Sequence, residues 1–416
     1  MTRPDMRMVW RALPVVAALV VWLGLLAVVL DPAVANRADG WFDWMLDPTF
    51  HDWHVIQRGW QAVAAGRDPL ADPRDPFNYP RLILLAARFG GLQLSVNSQG
   101  LMLAGLFLGT LASVLRPRSR VEAAVGALLM FSLPVLLMVE RGNLDALAFV
   151  LVVTGLLCLA RGDQGSALPI VGTLALVLAG LLKLYPLIVL LGAAFYWRDR
   201  RRLWLLGGLF VALSWCGLHL EEIALILRKT TRGLEPAYGR MLPTTRLQFA
   251  GWWTAAQAIR IAGWIGLVVT LASVVLGAVW GGRRARWGLE HWTSSARVLC
   301  LGGSLVYVGT YLIGFNWSYR LVFLFLCLPG LWQATKLRDA PVAWVALAAV
   351  VISLVAPLHQ DLPLFFTVQA VQLGLCGLLS AGAATLLIHG KSPMADRLRQ
   401  DGAGLDSAHD KDTGSS

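Results

Sequence analysis

Long apolar runs recur along this chain from Pro14 to Ile388, and they constrain the fold more than any other feature. Each run is long enough to cross a hydrocarbon core about 30 Å thick. The runs are continuous rather than alternating, which excludes a closed β-barrel. Only 15% of the 416 residues are charged, whereas soluble domains carry about 25%. The sequence therefore predicts an all-α polytopic membrane protein.

Basic clusters between the apolar runs indicate how the chain is oriented. Arg3, Arg7 and Arg11 precede the first run and place the N-terminus in the cytoplasm. The run at 168–197 would form about 45 Å of helix, and basic residues flank it on both sides. It must therefore cross an even number of times, as two short helices separated by Lys183-Leu-Tyr-Pro186. We expect about twelve spans in the plasma (inner) membrane, with both termini cytoplasmic.

Polar stretches divide the chain into one membrane domain and a tail. Residues 1–390 form the predicted transmembrane domain, in which residues 31–97 are the first external loop and residues 221–260 the second. Residues 391–416 are rich in Gly, Ser and Asp, a composition that is typical of a disordered segment. We expect this tail to lie in the cytoplasm.

The net charge of +11 raises the question of a nucleic-acid partner. The Arg residues lie in blocks between apolar runs, as orientation signals do, and there is no solvated basic domain. We therefore predict no nucleic-acid binding. The five cysteines lie inside apolar runs without CxxC spacing, so we interpret them as small core residues. They are Cys158, Cys216, Cys300, Cys327 and Cys376.

Three predicted external turns carry a cation, which is unusual because such turns normally lack Lys and Arg. The cations are Arg141, Lys183 and Arg320, each at or near the membrane boundary. A lipid-linked phosphate at the outer leaflet would pair with them, and Arg offers a bidentate fork. The alternatives are snorkelling to lipid headgroups or ion pairs with Glu140, Asp145 or Asp361.

The same turns carry polar and aromatic side chains. Asn143 and Asn316 supply amides, and Trp317 and Tyr319 supply aromatic faces. Aromatic faces beside hydrogen-bonding groups suit sugar rings. Trp and Tyr also accumulate at any bilayer interface, so an interfacial belt is the alternative interpretation for either aromatic residue alone.

The first external loop contains a short amphipathic pattern. Thr49-Phe-His-Asp52 can start a helix, and the apolar residues after it fall on one face. We expect this helix to lie on the membrane surface beside the spans. The residues of the predicted apolar face are Val55, Ile56, Gly59, Trp60 and Val63.

Asp52 has two interpretations. With Thr49 as N-cap, it occupies the third position of a capping box and would only neutralise helix amides. Alternatively it is a general base near His51, His54 and Arg58, and it would deprotonate a sugar hydroxyl as that hydroxyl attacks an activated anomeric carbon. Spacing alone leaves both interpretations open.

Several functional classes lack a motif in this sequence. Asp68-Pro-Leu-Ala-Asp72-Pro-Arg-Asp75-Pro is a set of turns whose carboxylates could bind a divalent cation, but the spacing is unspecific. No Gly-rich nucleotide loop follows a strand, so a soluble nucleotide-sugar donor has no binding motif. We predict no cofactor and no metal site.

Six motifs occur in an order that resembles a known family. They are Asp52-Trp-His-Val-Ile, Gly66-Arg-Asp68-Pro-Leu, Asn78-Tyr-Pro-Arg81, Glu140-Arg-Gly-Asn143, Lys183-Leu-Tyr-Pro186 and Phe315-Asn-Trp-Ser-Tyr-Arg320. Together they resemble the family-87 glycosyltransferases, which are polyprenol-phosphate-sugar-dependent membrane mannosyltransferases of the GT-C class. The resemblance extends from about Arg11 to Gly330.

This resemblance implies a GT-C-like fold, an inverting transfer and a polyprenyl-phosphate sugar donor, with mannose as the expected sugar. It implies an acidic base in the first external loop, and Asp52 is the matching position. The motifs add further candidate substrate-binding residues, namely His54, Asn78, Tyr79, Arg81 and Tyr185. Relatives often carry Asn at the position of Leu144 and an acid at Ser318, so the sequence departs from the family pattern there.

We therefore predict a membrane glycosyltransferase whose partners are the donor, a lipid or glycan acceptor, and membrane lipids. A multi-span transporter or lipid flippase is the alternative, although such a protein would require ionisable residues within the depth of the bilayer. The charges in this chain lie almost entirely at the ends of the predicted spans. A non-catalytic scaffold for envelope assembly is a third interpretation.

Overall fold

The computed structural model describes residues 6–31, 34, 49–71, 76–89, 94–162, 166–230, 237–243, 256–283, 287, 289–313, 316–337, 340–355 and 362–389. The predicted tail at 391–416 lies outside the described residues. So do Arg3, Asp72, Asp75, Phe315 and Asp361.

The described part of the chain is helical almost throughout and forms fifteen α-helices. They are α1 (Met6–Leu30), α2 (His51–Ala64), α3 (Val96–Leu115), α4 (Arg120–Leu129), α5 (Leu133–Arg141), α6 (Leu144–Arg161), α7 (Leu168–Leu182), α8 (Leu187–Tyr196), α9 (Arg200–Leu218), α10 (Leu220–Lys229), α11 (Ala256–Arg283), α12 (Ser294–Ile313), α13 (Leu328–Ala334), α14 (Pro341–Val355) and α15 (Leu362–His389). The predicted all-α architecture is confirmed.

Shorter elements connect these helices. The 3₁₀ helices cover Arg81–Phe89, Leu289–His291 and Ser318–Cys327. Two short strands, β1 (Ala237–Tyr238) and β2 (Asn316–Trp317), pair antiparallel. In that pairing Ala237 is opposite Trp317, and Tyr238 is opposite Asn316. The predicted second external loop therefore contacts the segment that precedes Arg320.

Six of the described helices are long and apolar enough to cross a membrane, or up to eight if each bent helix pair is one span. The bent pairs are α4 with α5, at 45°, and α9 with α10, at 75°. Helical structure covers each of the twelve predicted spans, but α7 and α8 have only 15 and 10 residues, and a span needs about 20. The count of twelve stays a prediction.

Burial separates central helices from peripheral ones. The apolar window of α12 is 72% buried, whereas the windows of α11 and α1 are 11% and 28% buried. Residues 321–328, which follow Arg320, are fully buried beside α12. Large apolar side chains such as Phe210 and Leu276 are exposed on the periphery. Exposed apolar surface of this extent is typical of helices that face lipid.

The predicted break inside the run at 168–197 is confirmed. Helix α7 ends at Leu182 and α8 begins at Leu187, with Pro186 as its N-cap residue. Proline fits there because its missing N–H is not needed in the first helical turn. Lys183 and Tyr185 therefore lie on a connection between two helices rather than inside one span.

The apolar face predicted for α2 is buried in the structure. Val55, Ile56 and Trp60 pack in an apolar cluster with Phe77 and Leu84 of the same loop. A Cβ atom on Gly59 would lie 2.5 Å from the ring of Phe77. The cluster also contains residues of α6 and α7, so the helix packs beside the bundle. Its position on the membrane surface stays a prediction.

The start of α2 also differs from the capping-box interpretation. The N-cap is Phe50 rather than Thr49, and no side-chain hydrogen bond caps the helix. Phe50 has φ 62° in the left-handed region, which is unusual for a residue with a side chain. Its N–H donates to the carbonyl of Glu140 at 2.7 Å, and its ring contacts left-handed Gly142. This backbone junction places α2 directly against the end of α5.

A close glycine contact between α11 and α15 provides a test of the packing. A Cβ atom on Gly277 would lie 2.2 Å from the carbonyl oxygen of Gly377. We expect Gly277→Val to lower the free energy of unfolding by about 1–3 kcal/mol, because the two backbones must separate. Thermal unfolding in detergent measures the change. The matched control is Gly374→Val, since Gly374 has no neighbour within 4 Å; equal effects of the two changes would contradict the packing.

Candidate functional site

One end of the helical bundle holds a cavity of about 470 Å³. Its lining comes from α2, from the 76–80 segment, from the turns after α5 and α7, from α9 and α10, and from the 316–320 segment. Ten of the twelve candidate residues line it, and these are Asp52, Asn78, Tyr79, Arg141, Asn143, Lys183, Tyr185, Asn316, Tyr319 and Arg320. Segments that are far apart in the sequence therefore meet here.

Asp52 forms a paired ionic contact at the floor of this cavity. Arg141 donates from Nε and Nη2 to the two carboxylate oxygens, both at 2.8 Å. The amide of Asn143 donates to Asp52 Oδ2 at 2.5 Å and lies 3.1 Å from the hydroxyl of Tyr319. Bidentate pairing fixes the orientation of both partners. Asp52 thus contacts side chains and does not serve as a helix cap.

Two aromatic rings lie beside the Arg141 guanidinium. Its central carbon is 4.7 Å from the ring centroid of Trp317 and 5.9 Å from that of Tyr319. The two rings are nearly parallel, with centroids 6.4 Å apart. Aromatic faces attract a cation through the ring quadrupole. Trp317 thus belongs to the site rather than to an interfacial belt alone.

The second ionic contact is centred on Asp145, which is fully buried. Lys183 Nζ lies 3.5 Å from Asp145 Oδ2, and Arg320 Nε lies 3.6 Å from Oδ1. The hydroxyl of Tyr185 donates to Oδ1 at 2.5 Å. Arg320 also donates from Nη1 to Asn316 Oδ1 at 2.5 Å. One carboxylate therefore holds two of the three cations.

These contacts bear on both interpretations of the three cations. Arg141, Lys183 and Arg320 all line the same cavity, as an anion site requires. Each also pairs with a carboxylate of the chain, as the alternative required, with Asp145 serving two of them. An incoming anion would therefore share the cations with Asp52 and Asp145 rather than meet free charges.

The turn after α7 places a lysine in an unusual environment. Burial lowers the pKa of Lys183, and the positive charge of Arg320 adds to this effect, while Asp145 opposes it. Its Nζ lies 4.7 Å from the ring centroid of Tyr79. Burial raises the pKa of Tyr79 well above its ordinary value, so its hydroxyl stays protonated and available as a donor. An anion near Lys183 would stabilise the ammonium form.

Two candidate residues do not line the cavity. His54 lies two positions after Asp52, about 200° further around the helix, so it faces away. Burial lowers the pKa of His54, and Arg58 and His51 add to this. The side chain of Arg81 instead pairs with Asp68 at an exposed position. The structure therefore does not bring His54 and Arg81 into the cavity with the other ten candidates.

Several lining residues were not among the candidates. His51, Trp215 and Glu222 line the cavity, as does a set of apolar residues. The latter are Leu182, Leu184, Ile223, Ile226, Leu227 and Ile313. The sequence did carry a signal for these residues. Positions 222, 223, 226, 227 and 230 are spaced so that they share one face of α10 and its C-terminal cap. Leu144 and Ser318, where the chain departs from the family pattern, are buried and do not line the cavity.

The described residues contain no group of three or more His, Cys, Asp or Glu side chains that could hold a metal ion. Asp68, the described carboxylate of the Asp-Pro turns, pairs with Arg81.

A second cavity, of about 200 Å³, lies at the other end of α6. Leu157, near the C-terminus of that helix, lines it, whereas Asn143, the N-cap of α6, lines the first cavity. Arg116, Arg118 and Lys336 surround the second cavity, and Lys336 pairs with Glu122 at 2.9 Å. Arg116, Arg118 and Lys336, which the sequence assigns to the cytoplasm, thus lie at the opposite end of α6 from the candidate site.

These features define an all-helical protein whose apolar helices could span a membrane, with a charged cavity at one end of the bundle. Comparison with protein-family models, with curated proteins and with solved structures finds no match. The chemistry of the cavity and the resemblance of the motifs are therefore the features that bear on function.

Asp145 provides a test of the ionic cluster. We expect Asp145→Asn to destabilise the protein by about 3–5 kcal/mol, because it removes a fully buried carboxylate from two cations that are only 16% and 17% exposed. Thermal unfolding in detergent measures the change. Asp68→Asn is the control, since Asp68 and Arg81 are 40% and 50% exposed and such pairs contribute about 0–1 kcal/mol. Equal effects of the two substitutions would contradict the central position of Asp145.

Proposed function

We propose that this protein is a membrane glycosyltransferase that moves a sugar from a polyprenyl-phosphate donor to a hydroxyl of a lipid or glycan acceptor, with inversion. The sugar is mannose, by resemblance to the family-87 enzymes. The observation that carries the proposal is the single cavity in which Asp52 meets Arg141, Lys183 and Arg320. A carboxylate base beside several phosphate-binding cations is the arrangement that this transfer needs.

The cavity is lined by two kinds of residue, and this combination supports an amphiphilic substrate. The three cations and the amides of Asn143 and Asn316 are polar. Apolar residues of α10 and Ile313 also line it. A polyprenyl phosphate has a charged head and an apolar chain. Its phosphate would bind the cations, and its first isoprene units would contact Ile226 and Leu227 of α10.

The donor phosphate would use cations that are already positioned. Arg141, Lys183 and Arg320 are held by Asp52 and Asp145 before a ligand arrives, so little side-chain order is lost on binding. The phosphate would accept one of the two hydrogen bonds that the Arg141 guanidinium donates to Asp52. Asp52 would then have an oxygen lone pair free to face the acceptor hydroxyl.

The chemical step balances as a displacement at the anomeric carbon. The acceptor oxygen forms its bond to that carbon while the bond from the carbon to the phosphate oxygen breaks. The acceptor proton passes to Asp52, and the bonding electron pair leaves with the polyprenyl phosphate. The same three cations stabilise the charge that develops on the leaving group. No nucleotide takes part in this step.

We place the protein in the plasma (inner) membrane with about twelve spans, both termini in the cytoplasm and the site on the outer face. The separation of the basic cavity from the candidate site supports this orientation. A transporter or flippase is the competing function, but it would require charged groups near the bilayer midplane. The cations that line the two cavities lie at or near helix ends.

Replacement of Asp52 tests the proposed base. We expect purified protein to transfer radiolabelled mannose from polyprenyl-phosphate mannose to total membrane lipids. Asp52→Asn should lower this rate about 10²- to 10⁴-fold, because the amide cannot accept the proton. Binding of the donor, measured in parallel, should persist, since the three cations remain.

Two results would contradict this proposal in different ways. Transfer by Asp52→Asn at the wild-type rate would remove Asp52 as the base. No transfer by the wild-type protein from any polyprenyl-phosphate sugar, together with counterflow of a solute in proteoliposomes, would favour transport. The control is Asp68→Asn, which changes a carboxylate of the same loop that does not line the cavity.

The orientation has an independent test by cysteine labelling. Ala71 is exposed in the first external loop, and Ser294 is exposed beside the basic cavity. In a variant without native cysteines, Ala71→Cys should react with an impermeant thiol reagent added to intact cells. Ser294→Cys should react only after permeabilisation. The reverse pattern would place the candidate site on the cytoplasmic face.

A further inference from the structure

Helix α10 contributes one charged side chain to the cavity. The face that lines the cavity carries Glu222, Ile223, Ile226, Leu227 and Thr230, so it is apolar apart from its two ends. Glu222 is only 6% exposed. A carboxylate at this depth is expensive to desolvate unless its oxygens are bound. Its environment therefore indicates what it binds.

The two carboxylate oxygens of Glu222 differ in their partners. Oε1 accepts a hydrogen bond from the backbone N–H of Arg81 at 2.8 Å. Oε2 is buried, and among the described residues no hydrogen-bond partner is found for it. Glu222 lines the cavity, and a carboxylate oxygen without a partner is a strong acceptor. It would bind a ligand group that carries a hydroxyl or amide hydrogen.

A purely structural role explains the hydrogen bond of Oε1 but not the burial of Oε2 without a partner. The bond from Oε1 joins α10 to the first external loop, and Lys229 makes a second connection by donating to the carbonyl of Pro69 at 3.0 Å. A glutamine would serve the first connection equally well. The favourable interaction of an acidic residue with the helix N-terminus is already available from exposed Glu221. Neither role requires a buried second oxygen.

The same cavity has further features that suit a hydroxylated ring. Nδ1 of His51, beside Asp52, is also buried without a hydrogen-bond partner among the described residues. Trp215 lines the cavity in the last turn of α9, where its ring stacks on His219 at 4.3 Å. Sugars combine hydroxyl groups with apolar faces, so carboxylates and aromatic rings together match both parts.

We infer that Glu222 binds the ring hydroxyls of a sugar in this cavity and thereby helps to select it. The inference rests on the proposed glycosyltransferase function and names a residue that recognises its substrate. Oε2 accepts hydrogen bonds from one or two adjacent hydroxyls. A sugar that lacks those hydroxyls would leave the carboxylate unpaired, which is the strongest form of discrimination that a polar pocket provides.

The experiment compares donor binding with and without the sugar. Dissociation constants are measured for polyprenyl-phosphate mannose and for polyprenyl phosphate, using wild-type protein and Glu222→Gln. Glutamine retains the acceptor for the Arg81 N–H but removes the charge at the second position. We expect roughly tenfold weaker binding of the mannose-bearing donor, because hydrogen bonds to charged groups are the stronger ones. Binding of the sugar-free lipid should not change.

Deoxy analogues of the donor sugar identify the contact more closely. The analogue that lacks the bound hydroxyl should bind more weakly to wild-type protein but no more weakly to Glu222→Gln. A residue that only supports the fold would not show this coupling. The matched control is Glu221→Gln, which changes an exposed carboxylate on the same helix and should bind all ligands as wild type does.

The outcomes separate the inference from the proposed function. Unchanged donor affinity with a higher KM for the acceptor lipids assigns Glu222 to the hydroxyls of the acceptor, which retains the inference. Wild-type transfer with no effect of Glu222→Gln on either substrate overturns the inference alone. Equal weakening of both donor lipids shows a structural role and also overturns it. A wild-type protein that neither binds nor uses a polyprenyl-phosphate sugar overturns the inference together with the proposed function.

Discussion

The fully buried carboxylate of Asp145 is the interaction on which the rest of the site depends. It compensates Lys183 and Arg320 where little water is available to solvate them, and it fixes the hydroxyl of Tyr185. Without it the turns after α7 and β2 would repel each other. Because these contacts exist before any ligand binds, the cavity is organised in advance. The consequence is that affinity for an anion depends on how readily the internal carboxylates share their cations.

Two bent helix pairs bring chemical groups to this end of the bundle. Helix α5 follows a 45° bend after α4 and ends at Arg141, while α10 follows a 75° bend after α9 and carries Glu222. A straight span would have continued along the bundle axis. Interrupted helices that place polar groups around a cavity are a general solution in membrane proteins, because irregular backbone is tolerated where protein or water surrounds it.

The sequence predicted features that depend on neighbouring residues. It did not predict contacts between residues that are far apart in the chain. Charge and length alone identified the break at Lys183-Leu-Tyr-Pro186. They also identified the three cations in turns that are predicted to be external. The sequence does not show which of His51 and His54 faces the cavity. That depends on the rotation of α2 about its axis, and this rotation follows from the left-handed conformation of Phe50 at its start. The pairing of Asp52 with Arg141 joins residues 89 positions apart. Burial of Glu222 depends on the fold of the first external loop.

The contact between Phe50 and Gly142 has a consequence for how such a site can change over time. These two left-handed residues flank Asp52 and Arg141, and the Phe50 N–H bonds the Glu140 carbonyl. Backbone geometry therefore determines the positions of the Cα atoms of Asp52 and Arg141, independently of the ionic attraction between their side chains. Exchange of either side chain would alter the chemistry of the cavity while the junction keeps its shape. A related chain could thus diverge in substrate or reaction by point substitution, with the architecture inherited unchanged.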